Sequence, residues 1–254
     1  MTRVFLTGLR IQVLQLLRSS FDVVAMFTWP LVYSSIAYYL LDAKENPHLL
    51  LSAALASAVM VMWSQVVVGS SSSFDLMRQN GTLELMVGAP VPLISILAPV
   101  MLTGAAFGLY GLVVTLAWGR LAFGVPLEVV HPLAAALSIP ACIVAIGSLG
   151  LIVSSTFVLY RAAFFLGVAM QYPVWIACGL LVPLSILPGW VGPISWVLAP
   201  TWGFRAISRA VVGGDAWLPI GLCLALSVAY ALVTVVLLRG FERLARGRAT
   251  MRLA

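Results

Sequence analysis

Charge is what this sequence has least of. Only 9% of its 254 residues are Asp, Glu, Lys or Arg, and 62% are hydrophobic. A soluble domain carries about a quarter of its residues charged, so an ordinary water-soluble domain is excluded. Lysine is nearly missing: Lys44 is the only one. Together with the Ala, Val and Gly content, this preference for arginine fits a GC-rich bacterial genome. The net charge of +6 does not point to nucleic acid. Its cations gather at helix ends and in the C-terminal tail, where anionic lipid attracts them. Cysteine is scarce, and Cys142, Cys178 and Cys223 stand alone in apolar surroundings. That argues against both a disulfide framework and a metal site. The histidines, His48 and His131, fall in polar loops, and a lone loop histidine beside a proline reads as a solvated residue before it reads as a metal ligand. No G-x-x-x-x-G-K-[ST] stretch is present, so no phosphate loop is expected on this chain.

What is present is a series of apolar runs of about twenty residues, each long enough to cross a hydrocarbon core as a helix. Lipid admits only helices or closed barrels, and alternating barrel-type strands are absent. The expected fold is all-α: an integral membrane protein with six transmembrane helices. The span interiors hold almost no charge. Intramembrane catalysis or ion-driven transport needs ionisable groups at depth, and Asp22, at the edge of a span, is a poor candidate.

Residues 1–20 carry Arg3, Arg10 and Arg18 on one side with Thr7, and Phe5, Leu9, Val13 and Leu16 opposite. This predicts a helix lying in the membrane interface. A signal peptide is the weaker reading, because no small-residue cleavage site follows. Span one covers about Phe21 to Leu41. Trp29-Pro30 breaks it, Tyr38 and Tyr39 suit an aromatic belt, and Tyr33 is deeper, where it could face a pathway. Span two covers about Leu49 to Gly69 and holds Ser57, Ser64 and Gln65. A glutamine at depth needs a partner, either a neighbouring helix or a transported molecule. Spans three to six cover about Leu93–Trp118, Leu133–Leu159, Ala162–Val182 and Trp217–Leu238. Span three has a Gly104, Gly108, Gly111 series that permits close helix approach. Span five contains Gln171-Tyr172-Pro173, either a gate or lining, or a kink satisfied by its neighbours.

Two stretches do not read as spans. Residues 70–92 (SSSSFDLMRQNGTLELMVGAPVP) are polar and carry Asp75, Arg78 and Glu84. The serines are expected to cap a helix starting near Phe74, with Asp75 favoured at its N-terminus and a break at Gly81. Residues 183–215 hold Pro183, Pro188, Pro193 and Pro200 among Trp190, Trp196 and Trp202. They are expected to form broken, re-entrant or interfacial half-helices with the tryptophans at headgroup level. Residues 239–254 form a basic tail. With both termini in the cytoplasm, most arginines fall inside, as the positive-inside rule requires. The 70–92 segment then lies in the cytoplasm and the 183–215 segment outside.

The run Arg78-Gln79-Asn80-Gly81-Thr82-Leu83-Glu84-Leu85-Met86, followed by Pro90 and Pro92, resembles the R-x-x-G-T-L-E-x-L…P stretch of ABC-2 type transporter permeases. The segment Pro183-Leu184-Ser185-Ile186-Leu187-Pro188-Gly189-Trp190, with Pro193-Ile194-Ser195 and Pro200-Thr201-Trp202, is similar to that family's run before the last helix. The resemblance implies one half of a dimeric permease, homodimeric or heterodimeric. It also implies a cytoplasmic coupling helix between the first pair of spans and the second, and a re-entrant hairpin near the outer gate. A separate ATPase subunit would bind ATP and Mg. The expected contact with that subunit is Phe74, Asp75, Met77, Arg78 and Glu84. The pathway candidates are Tyr33, Gln65, Gln171 and Tyr172, and the external segment is marked by Pro188, Trp190, Pro193, Trp196 and Trp202. The expected activity is export of a hydrophobic or amphipathic compound across a bacterial cytoplasmic membrane. Export of a polysaccharide or glycolipid, and an accessory subunit with no path of its own, are the alternatives.

Overall fold

The computed structural model describes residues 2–18, 20–40, 47–82, 94–124, 129–159 and 163–251. Among them no strand occurs, and helices satisfy the backbone within each segment, one of the two ways lipid admits. The helices are α1 (Thr2–Arg18), α2 (Ser20–Leu40), α3 (Pro47–Ser64), α4 (Ser70–Gln79), α5 (Ile94–Phe123), α6 (Pro132–Leu159), α7 (Ala163–Ala177), α8 (Val191–Val197), α9 (Ala199–Val212) and α10 (Trp217–Met251). Four of the described helical stretches are long and apolar enough to cross a membrane: Leu51–Gln79, Leu97–Phe123, Pro132–Ser155 and Trp217–Leu238. Helix α2 is 21 residues long with Pro30 inside it.

α3 is the buried centre of one half of the bundle, against α2, α5 and α9. Glycines let α5 approach it. A Cβ at Gly108 would stand 2.6 Å from the Met62 Cα, closer than any real side chain tolerates. α6 organises the other half, with α5, α9 and α10 around it. α1 lies along α5, its inner face formed by Gly8 and the buried Gln12. Leu6, Thr7, Arg10, Ile11 and Leu14 face outward. An exposed arc of apolar residues interrupted by an arginine suits a lipid interface.

The main departure from expectation is at Ser70–Ser73. The chain does not leave span two at Gly69 and restart near Phe74. Gly69 and Ser70 have helical backbone angles (φ −62°, ψ −39° and φ −73°, ψ −40°), and α4 continues α3 through a π turn at Gln65–Gly69. The serines bond back along their own helix instead of capping. The Ser71 hydroxyl donates to the Val68 carbonyl, and the Ser72 and Ser73 hydroxyls donate to Gly69. That alternative use of serine is available wherever the hydroxyl is kept from water. The expected stop at Gly81 is present, with φ +67° and the Gly81 N–H donating to the Arg78 carbonyl.

Other boundaries and placements shift. α5 continues past Trp118 to Phe123 and so includes Arg120. α7 is 15 residues long and ends at Ala177, short of Val182. Gly179 (φ +73°) closes it, with the Gly179 N–H donating to Ile176 and the Leu180 N–H to Trp175. The basic tail is not separate from the last span, since α10 runs on to Met251. Tyr39 is exposed, as a belt residue should be. Tyr38, one residue and about 100° further back around the helix, is buried against Phe123 with ring centroids 4.2 Å apart.

Candidate functional site

Two groups of residues could carry function, and one helical rod joins them. The first lies where α2, α3 and α7 meet. The Ser64 hydroxyl donates to Gln171 Oε1 at 2.8 Å, and the Gln171 amide N–H donates to the Tyr33 hydroxyl at 3.4 Å. Gln171 is buried, so its amide uses both ends on protein partners. Rings enclose this polar core. Trp29 stacks on Tyr33 at 5.5 Å, Trp175 meets Tyr33 edge-on at 4.9 Å, and Tyr172 meets Trp175 edge-on at 5.3 Å. Trp29 and Tyr172 are exposed, whereas Trp175 is buried and its indole N–H has no acceptor among the described residues.

Of the four expected pathway residues, the structure brings Tyr33, Gln171 and Tyr172 together through Trp175. Gln65 stands apart at the start of the π turn, with its side-chain oxygen over Gly69. Trp175 is the member that sequence reading missed. It stands four residues after Gln171 and three after Tyr172, the spacings that share a helix face.

The π turn joins this cluster to the second group. A π turn is wider than an α turn and needs room. Gly104 of α5 stands against the Gln65 carbonyl and Val66, Gly150 of α6 against Val66, and Gly167 of α7 against Ser71 and the Val67 carbonyl.

Beyond the turn, α4 is amphipathic. Phe74 is 1% exposed and packs into the core, with Met77 partly buried against the same core. The docking face expected to include Phe74 therefore turns that side chain inward, where Met77 also leans. Asp75 and Arg78 lie at the rim, with a nitrogen–oxygen distance of 3.7 Å. Leu76, Gln79, Asn80, Gly81 and Thr82 are exposed. Glu84 lies outside the described residues. Gln12 was not anticipated: its buried amide N–H donates to the Ser73 hydroxyl at 3.1 Å and ties α1 to α4. A glutamine four residues after Gly8, on the inward face of an amphipathic helix, was the available signal.

The segment after α7 is broken, as expected: a 3₁₀ turn at Leu184–Ile186, then α8 and α9 with the extended Leu198 between them. Pro200 sits in the first turn of α9, where its missing N–H costs nothing. Pro188, Trp190, Pro193 and Trp196 are exposed, which suits an interfacial position. Trp202, by contrast, is buried at 4% exposed. Its indole N–H donates to the Trp196 carbonyl at 2.8 Å, and the Arg205 guanidinium lies over its ring. From α10, the Tyr230 hydroxyl donates to the Val197 carbonyl. Trp202 thus holds the α8–α9 corner from within instead of facing out of the protein.

Four long apolar helices, with a buried hydrogen-bonded cluster in their bundle, are the architecture of a multi-pass membrane protein. The chain matches the ABC-2 type transporter family over residues 3–212 and belongs to it. It is the membrane component of an ABC-type transporter, a class that works with an ATPase subunit. No curated protein sequence matches it.

Proposed function

We propose that this chain is the transmembrane subunit of an ATP-driven exporter that moves a hydrophobic or amphipathic compound out across a bacterial cytoplasmic membrane. In this reading α2, α3–α4, α5, α6, α7 and α10 are the six spans, and both termini face the cytoplasm. A second permease subunit completes the path. ATP and Mg bind to a separate subunit that docks on α4. The observation that carries the reading is the continuity of α3, the π turn and α4. A force applied to the exposed side of α4 reaches Ser64 along hydrogen-bonded backbone, with no loop to absorb it.

In the same reading Leu76, Arg78 and Gln79 supply the docking surface and Glu84 extends it. Phe74 and Met77 act from behind, as the packing that keeps α4 rigid. The cluster of Tyr33, Ser64, Gln171, Tyr172 and Trp175 offers neutral donors between aromatic faces. That chemistry suits a largely apolar cargo with few polar atoms, since aromatic faces supply area and an occasional hydrogen bond supplies orientation.

The test is co-purification of the tagged chain from its native host in mild detergent, followed by an ATP hydrolysis assay. Wild type is expected to bring an ATPase subunit with it. Combined Arg78→Ala and Glu84→Ala is expected to weaken that association by about 2 kcal/mol, roughly thirtyfold. A chain that comes out alone at every detergent concentration would sink the reading.

A further inference from the structure

Asp75 does more than face outward. Its Oδ2 accepts the backbone N–H of Phe164 at 3.3 Å, across 89 residues of sequence. Phe164 lies in the first turn of α7, where backbone N–H groups have no acceptor within their own helix. A carboxylate is the favoured partner there, because the helix N-terminus is the positive end of its dipole. Among the described residues, α4 thus supplies a cap to α7. The same two elements meet again at Gly167, where a Cβ would stand 2.5 Å from Ser71 Oγ and 3.0 Å from the Val67 carbonyl oxygen. Before the π turn, α7 meets the same rod at Ser64 of α3, which donates to Gln171. Residues 75, 71 and 64 of the rod therefore oppose 164, 167 and 171 of α7. The ties run antiparallel, over about 16 Å of the rod and about 10 Å of α7.

We propose that Asp75 is a positioning residue that fastens α7 to α4, so that α3, α4 and α7 move as one body. The inference rests on the reading of α4 as the point where the ATPase subunit acts. It assigns Asp75 to the inner transmission, not to the docking contact. Displacement of α4 then reaches Gln171, Tyr172 and Trp175 through α7 as well as reaching Ser64 through α3. Packing at Gly167 resists compression between the helices, and Asp75 resists their separation at the end where the force enters.

The experiment compares wild type, Asp75→Ala and Asp75→Asn in lipid nanodiscs, with whatever ATPase subunit co-purifies. Asparagine keeps an oxygen acceptor and loses the charge. In Asp75→Ala, amide exchange in residues 164–166 is expected to accelerate roughly tenfold, the scale of a lost helix cap. Exchange in α10 should stay unchanged, which shows that the fold is intact. Asp75→Asn should restore most of the protection. A second arm places an environment-sensitive fluorophore on Ile176→Cys, at the exposed far end of α7. ATP is expected to change its emission in the otherwise wild-type complex. In Asp75→Ala the change should be lost while the ATPase subunit remains bound and active.

Unchanged exchange and an unchanged fluorescence response in Asp75→Ala would overturn the proposal. So would release of the ATPase subunit with residues 164–166 still protected, because Asp75 would then be a docking contact. If wild type carries no ATPase subunit, the proposed function fails, while the exchange measurement still decides whether Asp75 holds α7.

Discussion

In the stretch Leu51–Gln79, 78% of the most apolar window is buried inside the protein; in Trp217–Leu238, which is more apolar still, 28% is buried. In a water-soluble protein the order would be reversed. Here lipid is the solvent, and it accepts a leucine face as readily as a protein core does. Apolarity therefore measures fitness for the bilayer, while burial follows from shape and polar partners. α10 shows Leu224, Val228, Leu232 and Val236 on its open side. The α3–α4 rod carries alanines, serines and the glutamine at its π turn, and glycines from three other helices close around that turn. A helix rich in small and weakly polar residues makes the better centre, because close contact and internal hydrogen bonds are the gains that lipid cannot match.

The most severe way to break this comparison is the same substitution made once against the buried rod and once on the open helix. Gly108→Val forces atoms into Met62 of α3, where even a Cβ would stand 2.6 Å from the Cα. The expected cost is upwards of about 3 kcal/mol, the high end of overpacking, because backbone on both sides must move. Gly221→Val on α10 meets nothing within 4 Å. It should leave the melting temperature in detergent unchanged or slightly higher, since valine adds no clash there and removes a glycine from a helix. Equal losses at the two positions would show that α10 is covered by another subunit. That outcome would replace lipid with protein on that face.

The second effect is that of charge on the lipid side. Val228 is exposed near the middle of the Trp217–Leu238 stretch. Val228→Arg should cost about 2.5–3.5 kcal/mol of membrane insertion, and Val228→Leu almost nothing. The readout is the fraction of folded, monodisperse protein recovered from membranes. Loss with the leucine variant would again point to a covered face.

Much of this arrangement could be read in the sequence, and the part that could not has a physical reason. The break at Gly81 was legible because a positive φ and a helix stop are local properties. So was the broken character of residues 183–215, since prolines that close together forbid one straight helix. The close approach at Gly104 and Gly108 followed from side-chain size. The π turn was hidden because what accommodates it comes from α5, α6 and α7. Ser70–Ser73 misled because a serine that caps a helix and one that bonds back to its own helix look the same in sequence. Tyr38 and Trp202 misled because an aromatic belt is inferred from depth, whereas burial depends on which side of the helix the ring occupies. Asp75 was read by its charge as a surface handle. Its partner on α7 lies 89 residues away, and no local pattern announces it.

The smallest expected effect concerns the polar cluster itself. Gln171→Leu removes the acceptor of Ser64 and the donor to Tyr33. In an interior shut off from water this suggests a heavy penalty, but the serine has an alternative. Ser57 already donates to the carbonyl four residues back, at Ala53, and Ser64 can rotate in the same way. The expected loss is therefore about 0.6 kcal/mol and no more than about 1.7 kcal/mol, the range found for hydrogen bonds between membrane helices. A thermal-unfolding cycle with Ser64→Ala and the double variant measures it. The cluster is buried and polar without being an important source of stability, so stability alone does not account for its residues. If transport of a cargo falls much further in Gln171→Leu than that small loss can explain, the amide touches what moves. If transport falls only in step with stability, the cluster is a seam between α2, α3 and α7, and the path lies elsewhere in the bundle.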